Sequence, residues 1–100
     1  MSRQAEHVYI DQASLRQLEA LIAKLPTHGH VVLVLKDGSS CDGVVSTRPD
    51  VRLFHDADAR EGINAEVQLQ RPDVPDWSRH VWLDLVARVE HVDSIMARNR

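Results

Sequence analysis

The stretch Val31-Val32-Leu33-Val34-Leu35-Lys36-Asp37-Gly38-Ser39-Ser40-Cys41-Asp42-Gly43-Val44-Val45 constrains the fold more than any other part of the chain. An apolar, β-branched run meets Asp37-Gly38, and a second apolar run follows. Asp-Gly between two such runs predicts a β-hairpin closed by a type I′ turn, whose two central residues both need positive φ. Gly43 then falls inside the outgoing strand, where a glycine marks a sharp bend or a close approach of another backbone. Strand, Asp-Gly turn and a strand bent at glycine make the opening of a small, strongly curved barrel.

A single helix precedes the hairpin. Leu15, Leu18, Leu21, Ile22 and Leu25 fall on one face at a period of 3.6, with Arg16, Gln17, Glu19 and Lys24 on the other. Asp11 is the expected N-cap, Ile10 and Leu15 are spaced for a hydrophobic staple, and Pro26 stops the helix. After the hairpin the pattern stays β. The second strand, about 40 to 47, must break at Pro49 and resumes through Val51, Leu53 and Phe54. A charged turn occupies 55 to 62. Ile63 to Arg71 alternates Ile63, Ala65, Val67 and Leu69 against Asn64, Glu66, Gln68 and Gln70, which predicts one half-buried strand. A two-proline loop, 72 to 76, leads to a fourth strand, about Arg79 to Val86. There Val81, Leu83 and Leu85 face inward and Trp82 faces outward. A short last strand carries Val89 and Val92. The expected architecture is mainly β: a strongly bent, five-stranded antiparallel barrel of the small SH3-like kind with an N-terminal α-helix. One domain spans 1 to 100, with the helix at 11 to 25, the barrel at 30 to 93, a loose start at Met1 to His7 and a flexible tail at 94 to 100.

Composition narrows the function classes. One hundred residues bury one modest core, which leaves little room for an internal catalytic cavity. The net charge of −3 works against tight non-specific phosphate binding, which depends on lysines and arginines releasing counterions. Ten of the twelve basic residues are arginines, the better residue for bidentate contacts. The single cysteine, Cys41, excludes an internal disulfide and is read as an inward-pointing small hydrophobe. With no signal-like opening and no run long enough to span a bilayer, the expected location is cytoplasmic, without membrane contact.

The six histidines, including His28 and His30, have no spacing that gathers three or four zinc ligands. Asp56 to Gly62 begins like a calcium loop, but Arg60, Glu61 and Val67 stand where the ligand, glycine and glutamate belong. Ser39 and Ser40 have no histidine fixed beside them and read as turn residues. No catalytic residue, metal site, cofactor or small-molecule substrate is therefore expected. Trp82, on the outer face of its strand, is either an interface anchor or a residue packed beneath the helix.

The helix, the Asp37-Gly38 hairpin and Gly43 five residues on resemble the Sm-like family, over roughly Asp11 to Asp93. Val31 to Val45 is similar to the first Sm signature, and Ala87-Arg88-Val89-Glu90 stands in the place of the second. More narrowly, the chain resembles small xanthomonad proteins with a variant Sm-like motif, which implies a bacterial origin. The resemblance implies a homo-oligomer assembled through strand edges, with Trp82, Val86, Val89 and Val92 at the seam. It also implies binding of single-stranded, uridine-rich RNA. Arg48 and Arg52 flank the loop where the family's base pocket lies, Asp50 stands in for its acid, and Arg88 for its second-signature arginine. The chain departs from the family in the functional residues. No asparagine follows Asp50, no glycine follows Arg88, and the Lys-His pair of the bacterial Hfq branch is absent. An interaction module that keeps the scaffold without the RNA pocket is the alternative implied.

Overall fold

The computed structural model describes residues 3–92. Among these residues there are one named helix, α1 (Gln12–Lys24), and eight strands. These are β1 (Arg3–Gln4), β2 (His30–Leu35), β3 (Ser40–Thr47), β4 (Arg52–His55), β5 (Glu61–Asn64), β6 (Glu66–Arg71), β7 (Val74–Trp82) and β8 (Val86–His91). A 3-10 turn over Leu83–Leu85 joins β7 to β8. Five strands form one sheet in the order β7-β6-β3-β2-β8, and three form a second in the order β1-β4-β5.

The two sheets are halves of one bent ribbon. β3 pairs antiparallel with β6 as far as Thr47 and Gln68, and the same two stretches of chain pair again as β4 and β5, from Arg52 and Asn64 onward. Pro49 separates β3 from β4 as expected, because proline has no ladder donor. The expected single strand from Ile63 to Arg71 is divided at Ala65. Asn64 causes the break: it is fully buried rather than outward, its Oδ1 accepts from the Ala65 N–H at 2.8 Å, and its Nδ2 donates to His7 O at 2.9 Å. A side chain that caps its own backbone competes with the ladder. The expected five-stranded barrel is thus a strongly bent, open one, with β7 and β8 as the two ends of the larger sheet.

The Asp37-Gly38 hairpin forms, with a different turn. Gly38 has φ +90, whereas Asp37 is not in the positive-φ region. The Gly38 N–H donates to Leu35 O at 3.0 Å, and the Leu35 N–H donates to Ser39 O at 2.8 Å. The loop therefore holds three residues, a turn followed by a left-handed glycine, instead of a two-residue type I′ turn. Asp37 Oδ1 accepts from both the N–H and the hydroxyl of Ser39, which holds the tip. Gly43 is closely approached by β6: a Cβ there would stand 2.9 Å from the Leu69 side-chain Cβ and 3.1 Å from the backbone Gln70 O.

α1 is capped by Asp11, whose carboxyl accepts from the Ser14 N–H at 2.9 Å. Leu18 and Leu25 are buried in the main core with Val31, Leu33, Cys41, Val45, Val67, Leu69, Val81, Leu83 and Val86. The Ile10 staple does not form, since Ile10 is 90% exposed. From Arg3 onward the expected loose start is paired instead: β1 runs parallel to β4, Ala5 is buried, and Tyr9 bridges Ile63; Met1 and Ser2 lie outside the described residues. Of the expected two-proline loop, Pro72 and Asp73 form a turn while Val74 to Asp76 begin β7, and the expected fourth strand ends at Trp82. The 3-10 turn replaces the period of two there, so Leu83 is buried and Leu85 is 38% exposed. Val92 lies one residue beyond β8, and the expected tail lies outside the described residues.

Leu18→Ala is expected to cost about 2–5 kcal/mol, as for other buried leucines, while Leu53→Ala at a half-exposed site stays within about 0.5 kcal/mol of wild type. Urea unfolding of the two variants checks this. Gly38→Val should also destabilise clearly; a Cβ there meets nothing within 4 Å, so the whole loss is backbone strain at positive φ.

Candidate nucleic-acid interface

Where the bent ribbon changes sheet, Pro49 is buried and its neighbours are turned outward. Arg48, Asp50 and Arg52 therefore gather around one cleft of about 230 Å3, together with Arg3, Gln68 and His80. Among the described residues, neither Arg48 nor Arg52 makes an ion pair. Both guanidiniums are exposed. The opposite wall is organised by Glu66, whose side chain is 14% exposed. Its Oε1 lies 2.7 Å from Arg3 Nη2 and 3.3 Å from His80 Nδ1. Arg3 also sits over the Phe54 ring, 5.8 Å from its centroid. Three arginines, one histidine and two acids make an interface suited to an anion with a flat, polar body: arginine contacts phosphate and stacks on bases.

Arg88 is placed elsewhere. It lies on β8, at the far end of the sheet, with its Nε 3.2 Å from Glu90 Oε1. The structure thus brings together Arg48, Asp50 and Arg52 and leaves Arg88 outside their cleft. Arg3, Gln68 and His80 join the cleft without having stood out in the sequence. Gln68 and His80 are directly opposed on β6 and β7, a pairing visible only once the hairpin register is known. Of the expected seam residues, Val86 is buried in the protomer's own core, and Val89 packs half-buried against that core. Trp82 lies edge-on to Phe54, with ring centroids 5.0 Å apart, and not beneath α1. Among the described residues, β8 pairs only with β2 and β7 only with β6, so each leaves one ladder side unpaired there.

A second polar cluster crosses β2, β3 and β6. Asp42 stands between His30, whose Nε2 is 3.3 Å from Oδ2, and Arg71, whose Nη2 is 2.9 Å from Oδ1. Arg71 in turn lies 4.1 Å from the Trp77 ring centroid, a cation–π contact. The hydrogen bond from His30, then the charge of Arg71, hold the Asp42 carboxyl below its ordinary 3.8. A carboxyl with a lowered folded-state pKa stabilises above its unfolded value and loses that contribution as pH falls through the folded-state value. Asp42→Asn should therefore be less stable than wild type at neutral pH, with the gap closing as pH falls below 3.8. Urea midpoints of both proteins across that range test the assignment.

Among the described residues, no three His, Cys, Asp or Glu side chains gather as a metal set, and no helix is long and apolar enough to cross a membrane. Against protein-family models, residues 2–92 match a domain of unknown function (DUF3247). Among solved structures, XC5848 from Xanthomonas campestris, described as adopting a novel variant of Sm-like motif, superposes with a TM-score of 0.83. It is 30% identical, over 92% of this chain and 99% of that chain. No curated protein matches.

Proposed function

The chain belongs to the DUF3247 family and has the Sm-like fold, and on that premise we propose that it is a non-catalytic, cytoplasmic module that assembles through its strand edges and binds single-stranded RNA. The observation that carries this reading is the pair of exposed, unpaired guanidiniums of Arg48 and Arg52 on one cleft with Asp50. Two free arginines beside a carboxyl can hold a phosphate and read a base edge together. The unpaired ladders of β7 and β8 support assembly, since an exposed edge is a template for another strand. Arg88, on β8, reaches RNA in this reading only where a neighbouring copy brings its own cleft to that edge.

A second reading is a protein-interaction module on the same scaffold. The net charge of −3 and the Arg88–Glu90 pair favour it, because both weaken the attraction for phosphate.

Uridine-rich RNA titrated at low and moderate salt tests the first reading. Binding should weaken steeply with salt, and Arg48→Ala should weaken it further while lowering the slope by about 0.7, one single-strand phosphate contact. Arg88→Ala should do the same in the assembled protein. Absence of binding at low salt overturns the RNA reading and leaves the interaction module. Light scattering at high micromolar concentration should give a dimer or larger; a monomeric mass removes the edge assembly.

A further inference from the structure

Histidine is the side chain whose charge changes between about pH 5 and 8, and among the described residues His80 is the single histidine lining the arginine cleft. Its side chain is 53% exposed. Its Nδ1 lies 3.3 Å from Oε1 of Glu66 on β6, and the same oxygen lies 2.7 Å from Nη2 of Arg3 on β1. Gln68, directly opposite His80 on β6, is uncharged. The other charged groups around the cleft are Arg48 and Asp50 of the connection after β3, and Arg52 of β4. Three arginines therefore face two carboxylates, a local net charge of +1 in a chain of net charge −3. A proton on His80 doubles that surplus.

We propose that His80 makes the cleft a pH-dependent one, in which RNA binding strengthens as this ring takes up a proton; the proposal rests on the RNA reading above. Glu66 does not cancel the added charge, because its carboxylate is already answered by the closer guanidinium of Arg3. The proton also changes what the ring can bond. A neutral imidazole has one N–H and one lone pair, whereas the imidazolium has two N–H groups and no lone pair. With Nδ1 turned to Glu66, Nε2 is on the far side of a half-exposed ring, and in the charged form it is a donor to an anion. The phosphate backbone dominates the affinity of such interfaces, so one more positive group in a small surplus weighs heavily. His30 provides the contrast: it sits with Asp42 in the other polar cluster and lines no part of this cleft.

The test is a titration of the full chain with oligouridylate at about pH 5.5 and about pH 7.5, on either side of the histidine range. Neither uracil nor the phosphodiester changes charge over that interval, so the protein alone supplies any difference. Salt is held at about 0.1 M in both, where exposed charges more than about 10 Å apart are largely screened. Wild type should bind at least about fivefold more tightly at the lower pH, the small end of ordinary coupling between two ligands. His80→Gln should abolish the rise, and His30→Gln should keep it. Coupling is reciprocal, so saturating RNA should move the NMR titration of the wild-type His80 ring to higher pH by the matching factor. Equal affinity at the two pH values, a rise that survives in His80→Gln, or a ring titration unmoved by bound RNA overturns the proposal and leaves the RNA reading standing. Absence of binding at both pH values overturns that reading and the proposal with it. The ring titration needs no variant, so it decides the question even where His80→Gln fails to fold.

Discussion

The buried amide of Asn64 is the point on which the two sheets turn. Its Oδ1 takes the Ala65 N–H out of any ladder, and its Nδ2 takes up the carbonyl of His7. One side chain therefore divides β5 from β6 and ties the start of the chain to the same spot. An aspartate or leucine of similar size lacks the paired donor and acceptor, and a buried backbone group left without its partner is costly. The separation of the arginine cleft from the rest of the sheet follows from that fold in the ribbon, because β4 and β5 carry Arg52 and Phe54 away from the plane of β3 and β6.

The bend also explains how a chain with few aromatics builds a wall between two sheets. Phe54 on β4 and Trp82 at the end of β7 meet edge to face, and Arg3 covers the outer side of the Phe54 ring. Glu66, on β6, then holds His80 from the adjacent β7 and Arg3 from β1 of the other sheet. The arginine cleft thus rests on a packed base and a charged clasp, and a substitution at Glu66 is felt by three strands.

What could be read from the sequence was local. The Asp11 cap, the apolar helix face and the left-handed Gly38 depend on neighbours within four residues, and each is present in the structure. The type I′ turn was wrong because Asp37 finds its partner in the side-chain bonds to Ser39 and has no need of positive φ. Alternation misled where a non-local contact replaced it. Asn64 looks outward by the period of two, yet it is drawn inward by His7, fifty-seven positions away. Leu85 looks inward, yet the 3-10 turn rotates it to the surface. Arg48, Asp50 and Arg52 were legible as a group because they share one short connection. Arg3 and His80 reach the same cleft only through strand pairing, and Arg88 is kept from it by its place on β8.

The irregular start of β7 sets a length on what can be added to that side of the sheet. Val74 opposes Arg71, the register then shifts, and regular pairing resumes only at Ser78 opposite Gln70 and ends at Trp82 opposite Glu66. Pro75 lies in the irregular part and brings no N–H to it. A further strand laid along this edge has only the stretch from Ser78 to Trp82 to follow, and a slip by one position exchanges every side chain between the two faces. Arg79 stands in that stretch, and a charged residue on an edge discourages unspecific addition. The edge therefore works as a short ruler, too brief for an arbitrary β-strand and long enough for one whose spacing and charges match it.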